Sequence, residues 1–182
     1  MHKMVLINSK GGVGKSTLTL AIAEVLQAQI VDFDGHKTIT SAGKLTGLHK
    51  PIGEEEASAR YIVYDTPSYK DVALKGLLQT ADYIVVPSLI SYPDLIGVKS
   101  IIDEIRCLKL KDKTTILFNK VKAPTSSNYK IVKNFFIKNY GDIRFSNVEI
   151  PDNTDFQDIL AKGLRAKSKG VIKSFLEELF KL

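Results

Sequence analysis

The feature that most constrains this chain is the glycine-rich run S-K-G-G-V-G-K-S at residues 9–16. It follows a short apolar stretch at 4–7 and precedes a helix-like stretch at 18–27. A strand, a glycine loop and a helix in this order favour a phosphate-binding loop, in which backbone N–H groups and the helix N-terminus face an anion. We therefore expect Lys15 to contact the β- and γ-phosphates of a nucleotide and the Ser16 hydroxyl to bind Mg²⁺.

The loop departs from the common pattern G-x-x-x-x-G-K-[ST], because Ser9 replaces the first glycine and a second lysine, Lys10, follows it. Turn geometry favours glycine or small polar residues there, so Lys10 is either a solvated loop residue or a second cation for a phosphate. Residues 10–17 resemble the deviant Walker A box of the ParA/MinD family of P-loop ATPases. The resemblance implies that Lys10 crosses a dimer interface to the partner's nucleotide. It implies nucleotide contacts from Lys10, Gly11, Gly12, Val13, Gly14, Lys15, Ser16 and Thr17.

Short apolar runs alternate with helical patterns along the 182 residues. The patterns predict strands over 3–8, 29–33, 60–65, 82–87, 114–119 and 144–149, and helices over 15–27, 70–79, 93–109, 127–139, 154–161 and 167–181. Several strands are apolar almost throughout, as in parallel sheets buried on both faces. We expect an α/β fold, a doubly wound, mainly parallel sheet flanked by helices in one domain over 1–182, with ligands at the carboxyl ends of the strands. The weakest region, 35–59, predicts a mobile loop or a short helix.

Composition is that of an ordinary globular chain, with 44% hydrophobic and 25% charged residues. No apolar run approaches the ~18 residues that span a bilayer. The single cysteine, Cys107, excludes an internal disulfide and lies in an apolar helical pattern, so we expect it to be a small buried hydrophobic residue. These observations predict a cytoplasmic location.

Carboxylates follow two of the predicted strands. Asp32 and Asp34 come after the second strand and point to the same side, whereas Asp65 ends the third strand before T-P-S at 66–68. Each could simply cap a turn. The two segments resemble the family's Walker A′ and Walker B. The resemblance implies that Asp34 polarises the attacking water, alongside Lys10 and Lys15 as catalytic residues. It further implies that Ser16, Asp34 and Asp65 are the residues of the metal site and that Asp32 supports the Mg²⁺ shell. It also implies that residues 66–68 sense the γ-phosphate.

The segment F-N-K-V-K at 118–122 resembles the Asn-Lys-x-Asp box of GTPases. Lys122 stands where that box has an acid, and an ammonium cannot accept the hydrogen bonds of guanine. The family resemblance instead implies that Asn119 bonds adenine and that the loop at 150–152, with Pro151 and Asp152, closes over it. We therefore expect ATP as the nucleotide and Mg²⁺ as the cofactor.

Positive charge is concentrated in the second half of the chain. Residues 1–98 carry 9 basic and 10 acidic side chains, for −1, and residues 99–182 carry 17 and 10, for +7. One stretch between Asp158 and Glu177 contains no acid. Its basic residues are Lys162, Arg165, Lys167, Lys169 and Lys173. Such a stretch is either a solvated helix face or a surface for a polyanion, and we expect nonspecific contacts with the DNA backbone.

The resemblance as a whole implies a partition ATPase of the small plasmid ParA type. Such a protein forms a homodimer on binding ATP, binds nonspecific DNA on the nucleoid, and hydrolyses ATP slowly until a centromere-binding ParB-type partner stimulates it. The alternative is a MinD-like positioning ATPase whose amphipathic tail at 171–182 lies on a membrane. We expect that tail to pack on the sheet instead, because Glu177 and Glu178 would face anionic headgroups. A metabolic ATP-dependent ligase of the same superfamily stays open.

Overall fold

Six strands form one parallel sheet in the computed structural model, which describes residues 1–34, 37–46, 58–68 and 72–181. The strands are β1 (His2–Leu6), β2 (Gln29–Asp32), β3 (Tyr61–Asp65), β4 (Tyr83–Ser88), β5 (Thr114–Phe118) and β6 (Arg144–Phe145). They lie in the order β2-β3-β1-β4-β5-β6, and every neighbouring pair is parallel. The predicted doubly wound parallel sheet is therefore confirmed.

Helices cover both faces of the sheet. They are α1 (Lys15–Leu26), α2 (Thr38–Thr46), α3 (Val72–Thr80), α4 (Tyr92–Cys107), α5 (Ser127–Tyr140), α6 (Thr154–Gln157), α7 (Ile159–Lys162) and α8 (Ala166–Leu179). Apolar residues of α3, α4 and α5 form one core with one side of the strands, and those of α1, α6, α7 and α8 form a second core with the other side. Neighbouring strand residues serve opposite cores, as Val5 and Leu6 do, because side chains alternate along a strand.

The last helix packs on the sheet, as the sequence predicted. Ile172, Phe175, Leu176 and Leu179 are buried in the same core as α1. The apolar face of the C-terminal tail is therefore occupied by the protein itself. No helix in the described ranges is long and apolar enough to cross a membrane.

Two elements differ from the predictions, and in the weak region the structure agrees with one of the two predicted alternatives, a short helix. Strand β6 ends at Phe145 rather than at 149, because the next backbone groups bond elsewhere: Asn147 N donates to the Glu178 carboxylate, and Val148 N donates to Ser146 Oγ. The helix predicted over 154–161 is two short helices, divided at Asp158. The weak region contains a true helix, α2, while 35–36 and 47–57 lie outside the described residues.

Cys107 is exposed, so the prediction that it is buried was wrong. The buried positions of α4 recur with helical spacing through Val98, Ile101, Ile102 and Ile105. Residue 107, at the end of the helix, lies off that face. The apolar pattern around the cysteine was real, but its phase placed the thiol toward solvent.

Candidate nucleotide-binding site

The loop between β1 and α1 requires glycine at two positions. Gly12 and Gly14 have φ of +77° and +95°, a region that residues with a Cβ rarely adopt. A Cβ on Gly14 would also lie 2.2 Å from Asn119 Nδ2. The first turn of α1 contains no acidic residue, and no side chain caps its N-terminus. The helix therefore offers unshared N–H groups and a partial positive charge to an anion.

Neighbouring strands hold the loop in shape. Asn8 Nδ2 donates to Pro87 O over 2.8 Å, while Asn8 Oδ1 accepts from Lys10 N over 2.9 Å. From the other side, Asn119 Nδ2 donates to Val13 O over 2.8 Å. The buried amide side chains of Asn8 and Asn119 therefore fix the loop against β4 and β5.

Lys15 points into a cavity of about 240 Å³ at the carboxyl edge of the sheet. The lysine is only 7% exposed, and its Nζ donates to Ser68 Oγ over 2.8 Å and to Lys10 O over 3.3 Å. Burial lowers the pKa of Lys15, an effect that the Asp65 and Asp34 carboxylates partly oppose. A buried ammonium whose hydrogen bonds go to a hydroxyl and a carbonyl gains a strong interaction when an anion enters the cavity.

Asp65 lies beside Lys15 at the end of β3 and is fully buried. Burial, helped by the nearby Asp32 and Asp34 carboxylates, raises its pKa to about 7, although Ser16 and Lys15 favour the ionised form. Within the described part of the chain, neither carboxylate oxygen of Asp65 makes a hydrogen bond of good geometry. Two buried oxygens without such partners, next to a serine hydroxyl, suit a cation such as Mg²⁺ that takes oxygen ligands and keeps its waters.

Asp32 pairs with Asp65 across the β2–β3 ladder, but its carboxylate faces helix α2. It accepts hydrogen bonds from Thr40 Oγ1 over 2.8 Å, from Thr40 N over 3.1 Å and from Asp34 N over 3.1 Å. These bonds fasten the start of α2 to the end of β2 and orient the backbone of Asp34. The structure thus gives Asp32 a positioning contact, and its predicted support of the Mg²⁺ shell stays a prediction.

Asp34 lines the same cavity, together with Thr66 and Ser68. The three residues come from the segments after β2 and β3, which are neighbours in the sheet. The structure therefore brings Asp34 to the cavity that contains Lys15, and its role in hydrolysis stays a prediction. Residues 35–36, which stand where the Walker A′ segment of the ParA/MinD family usually has Pro-Gln, lie outside the described residues.

Lys10 does not point into the cavity of its own chain. Its Nζ lies 2.7 Å from Asp94 Oδ1, in an ion pair whose lysine is 37% exposed and whose aspartate is 2% exposed. Helix α4 can approach this closely because Gly97 has no side chain: a Cβ there would lie 3.0 Å from Lys10 Cβ. The lysine head group therefore lies at the rim of the site, outside the phosphate cavity and next to α4.

A family model for the CobQ/CobB/MinD/ParA nucleotide binding domain matches residues 4–166, which include the loop, both acidic segments and β5. The chain belongs to this family.

Solved structures share the fold of this chain. A Borrelia burgdorferi B31 protein described as a plasmid partition protein, bound to AMPPNP, is 17% identical, with a TM-score of 0.69 over 99% of this chain and 98% of that one. MinD in an Aquifex aeolicus MinC:MinD complex is 14% identical, with a TM-score of 0.70 over 99% and 96%. ParA of pNOB8 bound to nonspecific DNA is 14% identical, with a TM-score of 0.63 over 99% and 98%. A comparison with curated proteins found no match.

Of the three residues predicted to contact adenine, one lines a second, larger cavity of about 590 Å³, which shares Lys120 with the cavity that contains Lys15. Asp152 lines this cavity, and its carboxylate contacts Lys122 Nζ at 3.3 Å and Gln157 Nε2 at 3.2 Å. Pro151 forms a β-bridge with Val121. Asn119 is 4% exposed, and its amide nitrogen donates to Val13 O. What the structure shows for Asn119 is a loop contact, and its contact with adenine stays a prediction.

The predicted DNA-binding stretch is less positive in three dimensions than along the chain. Lys162 pairs with Asp158 at 2.9 Å, Lys169 pairs with Glu24 at 2.9 Å, and Arg165 pairs with Asp155. The acids come from α1 and from the residues around α6, so the acid-free run from 159 to 176 did not reveal them. Lys167 and Lys173 are exposed, and neither has an ion-pair partner within the described ranges.

Sequence reasoning missed Asn8 and Asp94. Asn8 was predicted only as the last residue of the first strand, and nothing in that pattern assigned a contact to its side chain. Asp94 is an acid in the first turn of α4, where a carboxylate normally serves as a cap, and Ser91 does accept from Asp94 N at its N-terminus. No local pattern distinguishes such an acid from one that binds a lysine 84 positions earlier.

Proposed function

We propose that this chain is an ATPase that forms a homodimer on binding ATP and hydrolyses ATP slowly to ADP and phosphate, with Mg²⁺ as cofactor. One observation carries the proposal: a single phosphate loop holds one lysine buried in the cavity, Lys15, and a second at its rim, Lys10. The buried lysine serves the nucleotide of its own chain. The rim lysine lies outside its own cavity, and the nucleotide of a facing copy suits it as a target.

The chain's own groups perform most of the chemistry that phosphoryl transfer needs. Lys15 and the loop N–H groups neutralise and orient the phosphates, while Asp34 holds the attacking water and accepts its proton. Ser16 and Asp65 would hold Mg²⁺, which when bound neutralises charge on the β- and γ-phosphates. Lys10 of the facing subunit adds a cation to the γ-phosphate, in the manner of an arginine finger.

Dimer formation requires Lys10 to leave Asp94. The exchange is costly because Asp94 is a buried carboxylate, and an unpaired buried charge is strongly unfavourable. The γ-phosphate of ATP gives the lysine a negatively charged group to bind in place of the carboxylate, and ADP lacks that group, so the balance tips only when ATP is bound. Removal of the γ-phosphate by hydrolysis returns Lys10 to Asp94 and loosens the dimer.

We propose further that the ATP-bound dimer takes part in plasmid or chromosome partition by binding nonspecific DNA, which places it on the nucleoid. The exposed Lys167 and Lys173, doubled in a dimer, would contact backbone phosphates. The likeness to ParA of pNOB8 supports this proposal. A centromere-binding ParB-type protein would stimulate hydrolysis and release the DNA. The MinD-like alternative is disfavoured because the apolar face of α8 is already buried in the core.

The test is binding of a fluorescently labelled random-sequence duplex, followed by anisotropy with Mg²⁺–ATP, with Mg²⁺–ADP and without nucleotide. We expect the duplex to bind with Mg²⁺–ATP and not under the other two conditions, because only the dimer presents the basic stretches of two chains to one DNA. Parallel sedimentation with anionic liposomes separates the alternative: ATP-dependent binding to liposomes, without binding to DNA, would contradict the partition proposal and support a membrane-positioning ATPase.

A further inference from the structure

Two consecutive residues after β5 hold two consecutive carbonyl groups of the phosphate loop. Asn119 Nδ2 donates to Val13 O over 2.8 Å, and Lys120 Nζ donates to Gly12 O over 3.0 Å. Lys120 has a φ of +54°, in the left-handed region that residues other than glycine rarely adopt. Its stem also passes Gly14, with Cε 3.7 Å from the position that a Cβ there would occupy.

These bonds set the direction of the loop's N–H groups. In a planar trans peptide, the C=O and the N–H of the next residue point to opposite sides. When Lys120 holds the Gly12 carbonyl, the Val13 N–H is turned away from Lys120 Nζ, and Asn119 does the same for the Gly14 N–H. A phosphate-binding loop needs successive N–H groups aimed at one anion, and fixing their carbonyls is a direct way to obtain this.

The Lys120 ammonium also contributes charge. Lys120 lines the cavity of about 240 Å³ that contains Lys15, and it lines the neighbouring cavity of about 590 Å³ as well. An ammonium carries three N–H donors, and Gly12 O takes one of them. Because the side chain lines both cavities, its positive charge acts across the loop on a diphosphate or triphosphate bound there.

We infer that Lys120 positions the phosphate loop and supplies a third positive charge to the bound phosphates, in addition to Lys15 and Lys10. The inference rests on the proposed nucleotide-binding function, but it concerns a step before dimer formation. Lys10 acts on the nucleotide of another subunit, whereas Lys120 acts within one chain. Its effect is therefore the same for ADP as for ATP, and it does not need the base, because its contacts lie along the loop and the phosphate cavity.

The test is isothermal titration calorimetry of the purified chain with Mg²⁺–ADP and, separately, with pyrophosphate. The variants are Lys120→Met, Lys120→Gly and Lys120→Arg. We expect Lys120→Met and Lys120→Gly to lower the affinity for both ligands about tenfold, because each change removes one hydrogen bond of a charged group. Lys120→Arg should recover most of the affinity. Glycine tolerates the left-handed backbone, so Lys120→Gly removes the ammonium without straining the fold.

Lys109→Met is the matched control. Lys109 is also an exposed lysine with a left-handed backbone, at φ +58°, but it follows α4 and precedes β5, far from the carboxyl edge of the sheet. The affinities of Lys109→Met for Mg²⁺–ADP and pyrophosphate should equal those of the unmodified chain. Equal ADP affinity in Lys120→Gly and the unmodified chain would overturn the inference alone. Failure of the unmodified chain to bind ADP and pyrophosphate would overturn the proposed function and the inference with it.

Discussion

The phosphate-loop edge of the sheet and the C-terminal basic stretch are both rich in cations, yet their surroundings differ completely. Lys15 is 7% exposed, among residues that four strand ends bring together. In the basic stretch, the side chains of Arg165 and Lys162 are 75% and 73% exposed and pair with nearby acids. A buried charge has no solvent to replace its partners, so its substitution should abolish an activity. An exposed charge exchanges its partners with ions, so its substitution should change only a salt-dependent affinity.

The largest expected effect is at Lys15. Lys15→Ala should weaken Mg²⁺–ATP binding by at least about 100-fold, because it removes charge-assisted hydrogen bonds in a site that excludes water. Equilibrium titration with a fluorescent ATP analogue measures this. Lys138→Ala, an exposed lysine on α5, is the matched control and should bind like the unmodified chain. Near-normal ATP affinity in Lys15→Ala would break the contrast between the two regions.

The next effect is on turnover rather than binding. Asp34→Ala should slow ATP hydrolysis about 100-fold or more while ATP still binds, because a positioned general base contributes a factor of that size. Single-turnover phosphate release, measured beside ATP affinity, separates the two. Hydrolysis at the normal rate by this variant would remove Asp34 from the proposed mechanism.

A smaller effect is expected in the basic stretch. Lys167→Gln combined with Lys173→Gln should lower the slope of log affinity for DNA against log salt by about 0.9 for each DNA phosphate that the variant no longer neutralises. Titrations of a random-sequence duplex at several salt concentrations give the slope. The control is Lys109→Gln combined with Lys138→Gln, which removes the same charge from other surfaces. An equal change in slope for both pairs would show that net charge, and not this stretch, determines DNA binding.

The last effect is on stability rather than on binding or turnover, and it is a pH dependence at Asp65. Its pKa is raised to about 7 by burial, so the folded, nucleotide-free chain keeps a proton that the unfolded chain has lost. Its contribution to stability is therefore present below the ordinary carboxyl pKa of about 4 and is lost as the pH rises to about 7. Urea unfolding between these limits should show a decline that Asp65→Asn lacks. Parallel pH profiles for the two chains would contradict the assigned burial of this charge.

Sequence reasoning predicted well wherever the cause was local. The phosphate loop, Asp34 and Asp65 each follow an apolar strand, and parallel strands bring their carboxyl ends to one edge whatever the rest of the chain does. The acidic side chains of Glu177 and Glu178 likewise favoured packing of α8 on the sheet over lying on a membrane. These inferences needed only the order of the elements and the residue types along each of them.

It failed where the cause was a contact between distant residues. No local pattern shows which loops and helices come into contact in the fold. Such contacts produce the ion pair of Lys10 with Asp94 and that of Arg165 with Asp155. Strand β6 ends early because the carboxylate of Glu178, on α8, takes the backbone N–H of Asn147. The role of Lys120 depends on a carbonyl 108 positions earlier in the chain.

If Lys10 binds the nucleotide of a second subunit, sedimentation velocity with a nonhydrolysable ATP analogue and Mg²⁺ should detect the dimer that results. We expect a dimer for the unmodified chain, a monomer for Lys10→Ala, and a dimer at lower protein concentration for Asp94→Asn, because that change frees the lysine. Each of the three chains should be a monomer with ADP. A dimer of unchanged affinity in Lys10→Ala, or a monomer at all concentrations for the unmodified chain, would show that Lys10 does not act across subunits.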